Sequence, residues 1–422
     1  MKTPSKLAII GVGYVGLPLA VCFSKELDVV AYDLSERRVK ELRSGVDRTN
    51  EVESHELSNP RLTFTSNKDD LKNISFYIVT VPTPVDRFNV PDMTPLISAC
   101  EALAPVLTKG AIVVFESTVY PGLSEEELAP RLEKLTGMKY NKDFFFGYSP
   151  ERVNPGDKEH TIPKIKKIVS GSTPEVLEVV AETYGKIIKA GIHRAPNIAT
   201  AEAAKVIENI QRDVNIGLVN ELAVLFDRMG LDIYEVLAAS GTKWNFLPFR
   251  PGLVGGHCIG VDPFYLTHKA NSIGFNAEMI LAGRRTNDHM ADFFSNKCLR
   301  EMLHRKITPV GASVLVLGFT FKENCPDVRN TKVNDLVNAL KRYDLTVDAV
   351  DPTADREIAH HEYGIDLLEK IPSGKKYDAV VFAVAHKELV ELASKGLEAH
   401  LKPGAFILDI KGTLKTGPSV IH

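Results

Sequence analysis

The stretch KLAIIGVGYVG, residues Lys6–Gly16, decides the fold. Its first half is a short apolar run typical of a buried strand, and its second half places three glycines in the GxGxxG spacing at the start of a helix. The first glycine permits a tight turn, the second lets the backbone approach a pyrophosphate, and the third lets the helix pack on the strand. A plain βα turn has the same spacing. The residues expected to contact a dinucleotide are Gly11, Val12, Gly13, Tyr14, Val15 and Gly16.

An acidic residue at the end of the next strand-like run favours one dinucleotide over the other. Asp33 closes DVVAYDL, about 20 residues after the glycines, where a carboxylate can accept a hydrogen bond from a ribose 2′-hydroxyl. A carboxylate there repels the 2′-phosphate of NADP, so the sequence predicts NAD. Arg37 and Arg38 lie nearby and weaken the inference from charge, and Arg38 is itself a candidate cofactor contact.

Strand-like and helical segments alternate at both ends of the chain. Over the first 170 residues this alternation predicts a parallel sheet with crossover helices, and after Pro309 it predicts a second, smaller one. Between them, from Ala199 to about Gly230, apolar residues recur at helical spacing without proline, which predicts one helix of about 30 residues. A helix of this length needs neighbours to bury its apolar faces, and a second subunit is one way to supply them.

These segments together predict an α/β fold. Two Rossmann-like parallel-sheet domains are joined by a long central helix and a helical dimerisation domain. The expected domains are 1–198 for the NAD-binding domain, 199–308 for the helical dimerisation domain with a cysteine loop, and 309–422 for the second Rossmann-like domain.

Composition excludes several classes of protein. The 422 residues carry a formal net charge of -3 without a basic block, so nucleic acid is not an expected partner. No apolar run is long enough to cross a bilayer, and the first residues lack the apolar core of a signal peptide. Five scattered cysteines without a CxxC pair favour a reducing cytoplasm over a disulfide framework, and no metal site is expected.

Polar residues follow three of the predicted strands in the first sheet. Thr83 in VTVPTP and Thr118 in VFESTVYPG stand at the carboxyl ends of strands, which is the crevice side of an open α/β sheet. Glu151 lies in the proline-bounded loop GYSPERVNPG. Strand-end hydrogen bonds would explain the threonines equally well, and simple exposure would explain the glutamate.

Polar residues also form a stripe on the predicted central helix. Lys205 and Asn209 are spaced i, i+4, and Arg212 and Asn220 fall close to the same stripe. Such a stripe is usually the solvent face of a helix. It becomes a site only if the helix lines a cleft.

The stretch RPGLVGGHCIGVDP, Arg250–Pro263, surrounds a thiol with glycines. Small neighbours let a substrate approach Cys258, and a nearby cation could lower the pKa of its thiol. A buried inert thiol is the alternative, and it suits Cys22 and Cys100 better, because both fall in apolar helical contexts. Asp262 could orient or activate a water. A thiol beside NAD suggests oxidation at the aldehyde level, through a thiohemiacetal and a thioester.

The second sheet lacks a glycine fingerprint but carries cationic residues after its first strand. Lys322 and Arg329, in GFTFKENCPDVRNT, could face phosphates, although a solvated charged loop has the same pattern. Two nucleotide-type sheets suggest one cofactor and one nucleotide-linked substrate.

Eight motifs in this order give the chain a family resemblance: GVGYVG, VPTP, ESTVYPG, SPER, AEAAKVIEN, NEL, GGHCIGVDP and GFTFKENCPDVRNT. The chain resembles the UDP-glucose/GDP-mannose dehydrogenase family over essentially its whole length. Within it, KWNFLPFRPGLVGGHCIGVDPFYLTHK is similar to the bacterial UDP-N-acetylhexosamine 6-dehydrogenases of Vi-antigen and O-antigen type. The resemblance implies an NAD-dependent four-electron oxidation of UDP-GlcNAc or UDP-GalNAc to the uronic acid in surface-polysaccharide synthesis. It leaves the C4 configuration, the oligomer size beyond a dimer and the pathway open.

The resemblance also implies roles for single residues. Cys258 would carry the thiohemiacetal and thioester, Lys205 and Asn209 would stabilise the oxyanion, and Asp262 would assist proton transfer with water. Thr118 and Glu151 would position that water or act as base. Further NAD contacts would be Asp33, Arg38, Thr83, Thr118 and Arg329. UDP-sugar contacts would be Glu151, Arg152, Val153, Lys205, Asn209, Arg212, Phe249, Arg250, Gly252, Gly255, His257, Cys258, Phe321 and Lys322.

Two departures separate the chain from glucose-type relatives, which carry a second glutamate where this chain has Pro155 and a serine where it has His257. The role of that second acid therefore does not transfer, and the role of His257 stays open. UDP-glucose or UDP-ManNAc remains an alternative substrate. Two rivals of other classes are a two-electron hydroxyacid dehydrogenase of the 6-phosphogluconate type and a non-catalytic NAD-sensing module.

Overall fold

The computed structural model describes residues 1–152, 159–256, 258–414 and 419–422, and these form two compact units. The first unit contains Met1–Glu208 and Phe264–Phe275, and the second contains Asn209–Pro263 and Asn276–His422. The expected division into three domains at residues 198 and 308 stays a prediction.

The first unit is built on one eight-stranded sheet. Its strands are β1 (Lys6–Ile10), β2 (Asp28–Tyr32), β3 (Leu62–Thr65), β4 (Phe76–Val79), β5 (Ala111–Phe115), β6 (Phe144–Tyr148), β7 (Lys167–Gly171) and β8 (Ile192–Arg194). Their order is β3-β2-β1-β4-β5-β6-β7-β8, and its first six strands have the order of a dinucleotide-binding fold. The sheet is parallel except where β7 runs antiparallel to β6. The sequence prediction of a parallel sheet holds for β1 to β6 and misses this reversal.

The helices of this unit cover both faces of the sheet, and its central strands are accordingly apolar over most of their length. In β1, Leu7, Ala8, Ile9 and Ile10 are all buried, as expected for a strand covered on both sides. The helices are α1 (Gly16–Ser24), α2 (Glu36–Arg43), α3 (Thr94–Leu103), α4 (Ala129–Thr136) and α5 (Pro174–Gly185).

A 32-residue helix, α6 (Ile198–Met229), confirms the predicted long helix. It begins in the first unit and ends in the second. In the second unit α6 packs tightly against α9 (Glu278–His304), because glycines meet at the crossing: a Cβ on Gly217 would lie 2.9 Å from the Cα of Gly283. The helices between them along the chain are α7 (Ile233–Ser240) and α8 (Asp262–Ser272).

The second unit carries a five-stranded sheet that is parallel throughout. Its strands are β9 (Ser313–Leu317), β10 (Thr346–Val350), β11 (Tyr377–Phe382), β12 (Leu401–Asp409) and β13 (Val420–Ile421), in the order β10-β9-β11-β12-β13. Its helices are α10 (Lys332–Lys341), α11 (Arg356–Tyr363) and α12 (Lys387–Gly396). This confirms the second Rossmann-like sheet and adds the short β13. Among the described residues, no helix is both long and apolar enough to span a membrane.

Candidate functional site

The glycine loop after β1 has the geometry of a dinucleotide cradle. Gly11 adopts a φ of +93°, and its N–H donates to the Tyr32 carbonyl at 2.8 Å. A Cβ on Gly16 would lie 1.9 Å from the Gly11 carbonyl oxygen, so only glycine fits there. At Gly13, by contrast, a Cβ would meet no atom of the described residues within 4 Å. The backbone of the second glycine is therefore open to a ligand, which fits NAD.

Asp33 and Arg38 hold this loop in place. The Asp33 carboxylate accepts hydrogen bonds from the Val12 and Ser35 N–H groups, each at 2.9 Å. Arg38 is buried, donates from Nε to the Val12 carbonyl at 3.0 Å and pairs with the buried Asp47 at 2.8 Å. Because Asp47 balances the Arg38 charge, Asp33 sets the local charge at the end of β2. A net acid at this place suits the ribose hydroxyls of NAD.

The other polar residues expected near the cofactor follow neighbouring strands at the same edge of the sheet. Thr83 follows β4, Thr118 follows β5 and Glu151 follows β6. Since β1, β4, β5 and β6 are adjacent and parallel, these residues stand in a row that continues from the glycine loop. The row lies at the carboxyl edge, where open α/β sheets bind ligands.

Lys205 joins this row from α6. It is only 8% exposed, and its Nζ donates to the Glu151 carbonyl at 2.7 Å. The next residue, Arg152, pairs with Glu208 of the same helix at 2.8 Å. The structure thus brings Glu151, Arg152 and Lys205 together. Val153 lies outside the described residues, as do Pro155 and His257.

A buried polar cluster beside this row was not foreseen from the sequence. Glu116, directly after β5, pairs with Lys167 of β7 at 2.6 Å and accepts a hydrogen bond from the Tyr184 hydroxyl. Burial raises the pKa of Glu116, and the Lys167 charge opposes that rise. The only sequence signal was an acid at the end of an apolar strand.

Glu202 of α6 is a second unforeseen residue, and it holds the chain that follows Thr118. Its fully buried carboxylate accepts hydrogen bonds from the N–H groups of Gly122, at 2.6 Å, and Ser124, at 3.1 Å. Burial raises the pKa of Glu202 from its ordinary 4.5 to about 7, against the lowering effect of those hydrogen bonds. The carboxylate therefore connects α6 to the Thr118 segment.

The raised pKa of Glu202 predicts a pH dependence of stability. Between pH 4.5 and about 7 the folded protein holds a proton that the unfolded chain has released, so stability falls as pH rises through this window. A shift of this size corresponds to about 3 kcal/mol of unfolding free energy. We expect Glu202→Gln to gain stability relative to the native chain between pH 5 and 8, measured as melting temperature against pH. Glu182→Gln, at an exposed position of α5, is the control. Parallel profiles for the native chain and Glu202→Gln would contradict the expectation.

The cysteine loop lies in the second unit, directly before α8. Cys258 is half-buried, and its carbonyl accepts from the N–H groups of Val261, at 3.1 Å, and Asp262, at 2.9 Å. Asp262 is buried and accepts a hydrogen bond from the Asn209 amide, whose oxygen accepts in turn from Arg212. Four predicted site residues, Asn209, Arg212, Cys258 and Asp262, are thus connected through hydrogen bonds and one short turn.

The glycines before Cys258 permit a close packing that the sequence did not predict. A Cβ on Gly256, whose φ is +84°, would lie 2.7 Å from the Phe321 ring, and a Cβ on Gly255 would lie 2.3 Å from the Asn330 carbonyl oxygen. The sequence suggested that small residues leave room for substrate. In the structure the space belongs to the loop after β9, so the glycines allow the cysteine loop to pack on Phe321.

The start of the cysteine loop is fixed to α6 and α9. The Asn220 side chain pairs with both backbone groups of Gly252, accepting from its N–H at 2.8 Å and donating to its carbonyl at 3.1 Å. Arg284, paired with the buried Asp213, donates to the Val254 carbonyl at 3.2 Å. Asn220 therefore has a structural role. Phe249 is half-buried, while Arg250 is exposed and lies 5.9 Å from the Tyr234 ring centroid.

The loop after β9 carries the remaining predicted residues. Phe321 and Lys322 line a small cavity, with Lys332 and Lys411 among its other walls. Arg329 is largely exposed and forms an ion pair with Asp327 at 2.6 Å. Lysine side chains can bind a phosphate group, although two of these already form ion pairs at 3.1 Å, Lys332 with Asp288 and Asp335 and Lys411 with Glu323.

Other cysteines have the properties of inert thiols. Burial raises the pKa of Cys100 and of Cys298 to about 12, and that of Cys22 to about 11. Cys22 is half-buried rather than fully buried as expected.

Comparison with known proteins gives matches along nearly the whole chain. Residues 5–188 match the NAD binding domain of the UDP-glucose/GDP-mannose dehydrogenase family, residues 199–289 its central domain and residues 315–416 its UDP binding domain.

Individual relatives are similar over comparable lengths. A UDP-N-acetyl-D-glucosamine 6-dehydrogenase of Pseudomonas aeruginosa is 54% identical over 407 residues, covering 96% of each chain. A protein of the same name from Salmonella typhi is 52% identical over 418 residues, covering 99% of this chain and 98% of the relative. The solved structure of a UDP-D-ManNAc dehydrogenase from Pyrococcus horikoshii has a TM-score of 0.87 at 30% identity, covering 98% of this chain and 97% of the other.

Proposed function

We propose that this chain, which belongs to the UDP-glucose/GDP-mannose dehydrogenase family, oxidises C6 of a UDP-N-acetylhexosamine to the uronic acid. It is an NAD-dependent dehydrogenase. The half-buried Cys258, one turn from the buried Asp262–Asn209 pair, is the observation that carries the four-electron reaction. The two relatives named UDP-N-acetyl-D-glucosamine 6-dehydrogenase support an N-acetylated sugar, and UDP-GlcNAc before UDP-GalNAc. We place the reaction in the cytoplasm, in surface-polysaccharide synthesis.

The proposed reaction balances as one alcohol, two NAD⁺ and one water giving one carboxylate, two NADH and three protons. NAD, when bound, accepts the hydride released in each oxidation. The Cys258 thiolate adds to the carbon of the C6 aldehyde and gives a thiohemiacetal, whose oxidation gives a thioester. Water then attacks the thioester carbon, the C–S bond breaks, and the thiolate returns.

Protein groups have separate tasks in these steps. We assign oxyanion stabilisation to Lys205 and Asn209, which stand one helical turn apart on α6. Asp262 takes a proton from the attacking water, while Thr118 and Glu151 orient that water or act as base. The residues that would hold NAD are Gly11, Val12, Gly13, Tyr14, Val15, Gly16, Asp33, Arg38, Thr83, Thr118 and Arg329.

A panel of UDP-sugars tests the assignment. We expect the highest kcat/KM with UDP-GlcNAc or UDP-GalNAc and two NADH per sugar, measured by NADH absorbance with the sugar limiting. A preference for UDP-glucose or UDP-ManNAc would select the alternative substrate. One NADH per substrate would support the hydroxyacid dehydrogenase, and tight NAD binding without turnover would support the sensing module.

We also propose that the enzyme is a homodimer formed through α6. Leu218, Leu225 and Met229 repeat at helical spacing and are all at least 48% exposed, and Trp244 is 92% exposed. A large apolar stripe on a helix often marks an interaction surface, and a second subunit is one way to bury the apolar faces of this long helix. We expect Leu225→Glu to halve the mass measured by light scattering. Ile358→Glu, on α11, is the control, and an unchanged mass for Leu225→Glu would contradict the interface.

A further inference from the structure

A buried histidine–aspartate pair lies at the carboxyl edge of the second sheet and has no part in the reaction proposed above. Asp351 follows β10, His386 follows β11, and both are 1% exposed. The His386 Nε2 lies 3.0 Å from the Asp351 carboxylate. The His386 Nδ1 lies 2.9 Å from the backbone nitrogen of Asn324. Because a backbone N–H can only donate, Nδ1 accepts, and the ring proton belongs on Nε2.

This pair fixes both ends of one turn, residues 319–324. The Asp351 carboxylate accepts from the N–H groups of Phe319, at 2.6 Å, and Thr320, at 3.1 Å. His386 holds the other end through Asn324, which stands in the left-handed region at a φ of +56°. The exposed side of Asn324 is tied as well, since its Oδ1 accepts from the Lys387 N–H at 3.0 Å. The contacts at the two ends of the turn are coupled, because His386 and the Asp351 carboxylate are hydrogen-bonded to each other.

A third contact reaches the centre of the same turn. The Thr320 hydroxyl lies 2.9 Å from His386 Nε2 and donates to the Lys322 carbonyl at 2.9 Å. The hydroxyl therefore accepts from the imidazole while it fixes the backbone of Lys322. Phe321 and Lys322 stand between the anchors and line the cavity that Lys332 and Lys411 share. The imidazole thus sets the backbone path of the two residues that line this cavity.

The surroundings of Asp351 favour its charged form. Burial alone would raise the pKa of Asp351, but the hydrogen bonds from His386 and from backbone N–H donors outweigh it, so the pKa lies below its ordinary value. The carboxylate stays charged and keeps accepting from the turn. Asp33 has the corresponding place in the first sheet, where it accepts from the Val12 N–H of the glycine loop. In each sheet, an aspartate at the end of the strand next to the first holds the loop after the first strand.

We propose that His386 is a positioning residue for the UDP part of the substrate. Through Asn324, Thr320 and Asp351 it holds the turn that presents Phe321 and Lys322 to the nucleotide, and it takes no part in hydride transfer or thioester chemistry. This rests on the proposed function, in which the second sheet binds the UDP moiety. The imidazole accepts a hydrogen bond at Nδ1 and donates one at Nε2. Substitutions that keep only one of these two hydrogen bonds therefore show which of them UDP binding needs.

The test compares His386→Gln, which loses the Nδ1 acceptor, with His386→Asn, whose Oδ1 can still accept from Asn324. We expect His386→Gln to raise the Kd for UDP and the KM for the UDP-sugar about tenfold or more, because the Asn324 N–H loses its partner. The KM for NAD and kcat at saturating sugar stay within about twofold of native. His386→Asn restores part of the UDP affinity. His361→Gln, at an exposed position of α11, is the matched control.

UDP itself is the calorimetric probe, so the result does not depend on which sugar is oxidised. Equal UDP affinity in the native chain and His386→Gln overturns the inference, as does a loss of kcat with unchanged KM. If His386→Gln does not fold, Asn324→Ala loosens the same anchor from its exposed side, and an unchanged UDP affinity there overturns the inference too. If the native chain binds UDP but oxidises no UDP-sugar, only the proposed function fails. If the native chain binds no UDP, both fail.

Discussion

Cys258→Ala is expected to lower the rate of uronic acid formation by at least about 10³-fold, because removal of a covalent nucleophile leaves only the binding and electrostatic parts of catalysis. In the proposed mechanism the second oxidation proceeds through the thiohemiacetal, so NADH per sugar should fall from two to at most one. Serine restores an oxygen nucleophile of much higher pKa and should remain severely impaired. Product is measured as uronate by mass spectrometry beside NADH absorbance.

A second thiol provides the control for Cys258. Cys22 is also half-buried, and burial raises its pKa to about 11, so it should have no chemical role. Cys22→Ser is expected to retain activity close to native. This control shows whether the loss of a thiol elsewhere in the chain also lowers activity. Native-rate uronate formation by Cys258→Ala, with two NADH per sugar, would rule out the covalent mechanism.

Short-range sequence signals predicted the parts of the fold that depend on neighbouring residues. The glycine turn at Gly11–Gly16, Asp33 at the end of β2 and the 32-residue helix are each encoded within a few turns or one strand of chain. Their physical causes are local: backbone conformation at glycine, strand alternation and helical spacing. The reversal of β7 depends instead on pairing with β6, which no local pattern encodes.

Contacts between side chains that are distant along the chain could not be predicted from the sequence. Glu116 meets Lys167 and Tyr184 only because β5, β7 and α5 come together, and His386 meets Asp351 only because β10 and β11 flank β9. Each residue alone reads as a strand-end polar group. Gly256 shows the same limit: its spacing indicated a need for room, but only the fold reveals that the Phe321 ring fills it.

Lys205→Ala is expected to lower kcat by about 10²–10³-fold, the usual cost of removing one donor that stabilises an oxyanion. The structure offers a competing explanation, because Lys205 Nζ also holds the Glu151 carbonyl at 2.7 Å. Loss of the lysine could therefore act by releasing the Glu151 segment. Single-turnover kinetics at saturating NAD and sugar measure the chemical step directly.

Two further substitutions separate the charge of Lys205 from its backbone contact. Lys205→Gln keeps an N–H donor for the Glu151 carbonyl but carries no charge, whereas Lys205→Arg keeps the charge on a different shape. If the positive charge stabilises the oxyanion, Lys205→Gln should be nearly as slow as Lys205→Ala, and Lys205→Arg should recover part of the rate. If the lysine only holds Glu151, Lys205→Gln should turn over faster than Lys205→Arg.

The control is Lys189→Ala, at an exposed position, which should turn over at the native rate. Native turnover by Lys205→Ala would remove Lys205 from the site.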